Sequence, residues 1–227
     1  PLDQPAVEEG KRLTYGLALV LIASSALASG GAVKGYVKIN PVHGGFTGTL
    51  QPENFFGWSV AEIGDLDGDG IRDLAVGALR DDNGDPNPEA NLGAVWIMFM
   101  NQDGTVKQAP APQKLTSPSA QDGARFGQAL AWLGDLDANQ HRNALAIGMP
   151  GLGRVEIAFL SYANGVVSVL SWQSNSGGYV YGSSLAAIGD LNGDSVPDLA
   201  IGKPLPGSVE IALLAYDGTI VSSTTIG

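Results

Sequence analysis

A chain of 227 residues that is 44 % apolar and only 15 % charged can bury a sizeable core, which excludes a disordered segment. The formal net charge of −11 opposes nucleic acid or an anionic membrane surface as the main partner, and the absence of cysteine excludes a disulfide framework. Thirty-two glycines and 13 prolines, with few long helix-forming runs, predict many short strands joined by turns.

Near the start, Lys11-Arg12 followed by the apolar run Leu17–Ile22 and the small residues Ser25–Ala28 imitates a signal peptide. Acidic residues precede the run, and it is too short to span a bilayer. A repeat gives it another reading. An aromatic-Gly pair recurs at Tyr15-Gly16, Phe56-Gly57, Phe126-Gly127 and Tyr181-Gly182. After the last three pairs comes Ile/Leu-Gly-Asp-Leu, then a polar loop, then Leu-Ala-(Val/Ile)-Gly at 74–77, 145–148 and 199–202. A third apolar run follows each time, at 93–99, 153–159 and 207–213, and a turn such as Asp103-Gly104, Asn164-Gly165 or Asp217-Gly218 leads into a fourth.

Four strands per unit, repeated, predict an all-β chain: a β-propeller of about four blades forming a single domain over 1–227. The blades are expected at about 15–50, 56–116, 126–175 and 181–227. The first is degenerate: the stretch 23–31 contains no carboxylate, 31–39 matches the third strand, and 46–50 is expected as the fourth.

The loop Asp65-Leu66-Asp67-Gly68-Asp69-Gly70-Ile71-Arg72-Asp73 places four carboxylates on one short turn. Such a loop suits a hard cation, since Ca²⁺ takes 6–8 oxygen ligands and alternate side chains of a tight loop can converge on it. The predicted ligands are Asp65, Asp67, Asp69, the Ile71 carbonyl and Asp73, with glycine at the bend. The loop is shorter than the EF-hand's, and its strand-like flanks make it the connection of a hairpin. Asp190, Asn192, Asp194, the Val196 carbonyl and Asp198 repeat the arrangement with one charge fewer. In the second loop along the chain, Asp135, Asp137, Asn139, His141 and Asn143 keep two carboxylates, so its predicted calcium affinity is lowest. The alternative for that loop is a metal-free turn held by Asn and Asp side chains bonding their own backbone. Two calcium sites are therefore expected, with a third that is weaker or absent.

These motifs resemble the FG-GAP repeat of integrin α-subunit propellers and related extracellular proteins. The resemblance rests on Phe56-Gly57, the 65–73 loop and Val76-Gly77-Ala78, where Leu79 stands in place of the final proline. Met149-Pro150 and Lys203-Pro204 carry that proline in the later repeats. The resemblance is good over 56–227 and weak over 15–55, and integrin members close more blades than this chain holds. It implies a propeller, calcium in the hairpin loops, and a role in adhesion or extracellular assembly.

No Gly-x-Ser-x-Gly, His-Glu-x-x-His or phosphate-cradling loop occurs, and His43 and His141 stand far apart. A non-enzymatic role is therefore expected, with a carboxylate-pair hydrolase the disfavoured alternative. The expected partners are copies of the chain itself or another extracellular protein or glycan, with no membrane insertion. A binding module using one propeller face is the runner-up to the structural, self-assembling subunit. The acidic stretch 80–89 is either a partner surface or a solvated connection.

Overall fold

In the computed structural model the described residues are 35–51, 53–87, 89–136 and 143–227. They form three antiparallel four-stranded meanders, each in sequential strand order. The first comprises β1 (Phe56–Glu62), β2 (Leu74–Ala78), β3 (Ala94–Met98) and β4 (Gln113–Leu115). The second comprises β5 (Ala129–Asp135), β6 (Asn143–Met149), β7 (Arg154–Ala163) and β8 (Val166–Ser176). The third comprises β9 (Leu185–Gly189), β10 (Asp198–Lys203), β11 (Ser208–Leu214) and β12 (Ile220–Ile226). The strands fall where the repeat predicts them, and each acidic loop joins the first two strands of its sheet.

Strand alternation explains how the sheets stack. In β3, Val95 and Ile97 belong to the core between the first and second sheets, while Trp96 and Met98 belong to a core on the other face. Val155, Ile157 and Phe159 of β7 pack in turn with Leu199 and Ile201 of the third sheet and with Tyr181 just before it. The first strands β1, β5 and β9 lie side by side, which is the propeller arrangement. The described strands form an arc that is not closed.

The aromatic-Gly pairs sit at the seams. Gly77 of β2 lies so close to the Gly127 carbonyl that any Cβ there would collide with it, and Gly148 of β6 stands in the same relation to Gly182. Ser59 Oγ donates to the Gly127 carbonyl at 2.6 Å, fastening the first seam from β1. Glycine at these sites thus permits backbone-to-backbone contact between neighbouring sheets.

The degenerate first repeat differs from its expectation. Residues 15–34 lie outside the described residues. Within 35–50 there is no strand, only an isolated Asn40–His43 bridge, so the third strand predicted to end at Ile39 and the fourth predicted over 46–50 do not form there. Pro41 and the glycines 44, 45 and 48 interrupt pairing. Ile39 and Phe46 are nevertheless buried, packing with Phe56 and Trp96 against the leading face of the first sheet.

Candidate metal centre

The 65–73 loop is organised by its own carboxylates. Asp65 Oδ1 accepts hydrogen bonds from the amides of Gly68 (2.7 Å) and Asp69 (3.0 Å), and its Oδ2 accepts from Gly70 at 2.7 Å. Asp69 Oδ1 accepts from the Ile71 amide at 2.8 Å. Asp73, fully buried at the loop's end, accepts from Leu66 at 2.9 Å and from Met100 at 3.0 Å, which ties the loop to the end of β3.

One carboxylate oxygen each of Asp65, Asp67 and Asp73 lies within 4.8 Å of the others. Asp67 Oδ1 is buried without a hydrogen-bond partner. A buried anionic oxygen without a partner is costly, and a cation among the three carboxylates would satisfy it. The donor set is all oxygen, which fits a hard divalent ion. Asp69 stands outside the converging three. Its outer oxygen instead meets Lys107, whose Nζ lies 2.6 Å from Asp69 Oδ2 and 2.5 Å from Asp67 Oδ2.

Lys107 is a neighbour of the candidate site that the sequence does not signal. It lies 40 positions from Asp67, beyond the turn that follows β3, so no local spacing signals it. The Lys107 hydrogen bond holds the Asp69 carboxyl below its usual range, helped by the Ile71 amide. Burial opposes the Lys107 charge, yet the two carboxylates hold the ammonium above the ordinary lysine range. Burial also pushes Asp73 up to about 6, against the Met100 and Leu66 amides and together with the Asp67 charge.

The 190–198 loop repeats the backbone pattern. Asp190 accepts from Gly193 (2.7 Å), Asp194 (3.2 Å) and Ser195 (2.8 Å), and Asp194 accepts from Val196 at 2.8 Å. Asp198 is fully buried and accepts from Leu191 at 2.8 Å and Leu214 at 3.0 Å, as Asp73 does from Leu66 and Met100. The Ser195 amide, aided by its loop neighbours, lowers the Asp190 carboxyl below its usual range. Asn192 bridges to Asp194 Oδ2 at 2.8 Å. Val221 occupies the sequence position matching Lys107, counted from Gly218 as Lys107 is from Gly104. In the 135–143 loop, Asp135 and Asn143 pair across β5 and β6, while Asp137, Asn139 and His141 lie outside the described residues.

The acidic stretch after β2 has a structural role. Asp81 is buried, pairs with Lys114 at 2.6 Å and accepts from the Asn83 amide at 2.8 Å. Asp82 accepts from the Asn91 amide at 2.7 Å, so the two ends of the loop are held together. Beside it lies a cleft of about 470 Å³ lined by Gln51, Glu53, Arg80, Asp82, Asp85 and Glu89.

The FG-GAP repeat family matches residues 56–98 and 174–221, which contain the two more acidic loops. Integrin alpha-PS5 of Drosophila melanogaster is 32 % identical over 177 residues, covering 74 % of this chain and 16 % of that protein. Human integrin alpha-IIb is 34 % identical over 161 residues, covering 67 % of this chain and 15 % of that protein, and human integrin alpha-8 is 28 % identical over 178 residues, covering 73 % and 16 %. The chain therefore spans about one-sixth of the length of these relatives. The repeat predicted from the aromatic-Gly pairs, the sheets they open and these matches agree: the chain is an FG-GAP repeat protein similar to integrin α-subunits.

Proposed function

We propose that this chain is an extracellular, non-enzymatic β-propeller module, stabilised by calcium and acting in adhesion or assembly. The observation that carries the reading is the convergence of Asp65, Asp67 and Asp73 around a buried, partnerless Asp67 oxygen. Asp65, Asp67, Asp73 and the Ile71 carbonyl would hold one ion, joined by Asp69 once Lys107 swings away. Asp190, Asn192, Asp194, the Val196 carbonyl and Asp198 would hold the second, and the 135–143 loop binds weakly or not at all. An ion bound only by the folded loop adds stability as its concentration rises, about 2.7 kcal/mol at roughly a hundredfold excess over Kd. Similarity to integrin α-subunits supports the extracellular, adhesive setting, and the described residues include no helix long and apolar enough to cross a membrane.

Thermal melting in calcium and in excess chelator tests the reading, with Asp67→Ala alongside. The expected result is a lower melting temperature in chelator and a smaller calcium effect in the variant. Identical melts in all conditions would remove calcium from the account.

A second reading, ligand capture by one face, is favoured by the cleft beside residues 80–91. Asp81 Oδ2 and Asn83 Oδ1 are buried there without hydrogen-bond partners. Beside these buried acceptors, the cleft's carboxylates Glu53, Asp82, Asp85 and Glu89 suit a cationic group of a protein ligand.

A further inference from the structure

Asparagine is followed by glycine at three places, 83–84, 164–165 and 192–193. The pair carries its own chemistry. Without a Cβ to shield it, the glycine nitrogen can attack the asparagine Cγ and expel ammonia. Two freedoms are needed: the glycine N–H must be able to shed its proton, and the asparagine side chain must be able to turn onto the backbone. The fold removes them at two of the three places. Asn83 donates from Nδ2 to the Gly93 carbonyl at 2.8 Å, and its Oδ1 is buried. Asn192 donates to Asp194 Oδ2 at 2.8 Å and accepts from the Asp194 amide at 3.1 Å. The Gly193 amide donates to Asp190 Oδ1 at 2.7 Å, and a carboxylate partner opposes loss of the amide proton.

Asn164-Gly165 keeps both freedoms. The pair forms the two-residue tip of the β7–β8 hairpin, between the paired residues Ala163 and Val166, with φ of 53° and 84°. Asn164 is exposed, and neither its side chain nor the Gly165 amide bonds any described residue. The tip nevertheless joins two sheets. Gln113 of β4 donates from Nε2 to the Gly165 carbonyl at 2.8 Å, and its Oε1 accepts from the Val167 amide at 2.8 Å. Val167 in turn is buried in the core between the first and second sheets.

We propose that Asn164 is a modification site, losing its side-chain amide to the Gly165 nitrogen without an enzyme. The bond from the Gly165 nitrogen to Cγ forms as the Cγ–Nδ2 bond breaks; solvent takes the Gly165 proton and supplies one to the departing ammonia. One water then opens the five-membered succinimide ring, at either carbonyl, to leave aspartate or isoaspartate. No electrons change hands, and solvent is the only co-reactant. The aspartate product keeps the backbone path, and acids already stand at the matching turn positions, Asp103 and Asp217. The isoaspartate product routes the backbone through Cβ and Cγ, one methylene longer. The Gly165 carbonyl and the Val167 amide then no longer match the two ends of the Gln113 amide, so the first seam loosens. The inference goes beyond the reading above and holds whether or not the acidic loops bind ions.

Storage of the full chain in mildly alkaline buffer tests this, with peptide mapping by mass spectrometry to follow amide-to-acid conversion at each pair. The folded chain is expected to convert Asn164 several-fold faster than Asn83 or Asn192, in calcium and in chelator alike. In urea the three are expected to convert at similar rates, which assigns the ranking to the fold. Chromatographic separation of the stored chains is expected to give an isoaspartate fraction with a lowered melting temperature. Asn164→Asp, which fixes the other product, is expected to melt as the wild type does, and Asn164→Gln to keep its melting temperature on storage. Equal or faster conversion of Asn83 or Asn192 in the folded chain would overturn the site, as would an Asn164 that converts only in urea. An isoaspartate fraction that melts as the unmodified chain does would overturn the effect on the seam.

Discussion

At the residue scale, Lys107 and Asp73 carry the most specific consequences. Lys107 neutralises Asp67 and Asp69 and therefore opposes a divalent ion that draws on the same oxygens. Lys107→Met is expected to raise calcium affinity at the 65–73 loop by roughly tenfold and to lower the melting temperature in chelator, because the acids then lose their counter-charge. Calcium titration of the variant against wild type checks it, and unchanged affinity would mean that Lys107 stands clear of the ion. Asp73 gives a pH signature. Its carboxyl titrates near 6 in the folded chain against an ordinary value of 3.8, so the folded state holds this proton more tightly. Its contribution to stability is full below about pH 4 and is lost as pH rises through 6. Without calcium, the stability of wild type relative to Asp73→Asn is expected to fall between pH 4 and 7, as urea denaturation would measure. With calcium, which favours the ionised form, the trend is expected to reverse. Comparison with the variant isolates Asp73 from Asp69 and Asp190, whose lowered carboxyls contribute in the opposite sense.

At the element scale, the hairpin with an acidic connection is the unit that was legible in the sequence. Alternating Asp positions between two apolar runs sufficed to place β1–β2 and β9–β10 and the loops between them, because both the signal and the structure are local. The convergence of Asp65, Asp67 and Asp73 follows from the same spacing. What was not legible depends on distant chain segments: the Lys107 ammonium, the amides of Met100 and Leu214 that hold the closing aspartates, and the failure of 35–50 to pair. In that last segment Ile39 and Phe46 have the apolar character of strand residues and are buried as such residues should be, but Pro41 and three glycines prevent a ladder. The glycines of the Leu-Ala-x-Gly run mark a further limit. Their recurrence is visible in the sequence, whereas their reason, contact with the next sheet's backbone, is visible only in three dimensions. Gly77→Ala and Gly148→Ala are therefore expected to destabilise by roughly 1–3 kcal/mol through overpacking against a carbonyl, and Gly202→Ala by far less. Chemical denaturation of the three variants would show equal losses if the seam argument were wrong.

At the scale of the molecule, stability draws on the faces between neighbouring sheets. The first two sheets bury odd-numbered residues on and beside their third strands under the sheet that follows, so the seams supply much of the core. Ile97→Ala, within the first seam, is expected to cost about 2–5 kcal/mol, while Val209→Ala on the open face costs well under 1 kcal/mol in the monomer. Comparing the two denaturation midpoints separates a filled seam from an unfilled one. The acidic loops tie the first two strands of a sheet together and, through Asp73 and Asp198, reach its third strand. Bound ions would therefore stiffen whole sheets rather than isolated turns.

The claim on which the account most depends is that the 65–73 and 190–198 loops bind calcium. Equilibrium dialysis of the purified chain against calcium measures this directly. The account predicts about two ions per chain, falling to one in Asp67→Ala and to one in Asp194→Ala, whereas no binding above background in the wild type would contradict it.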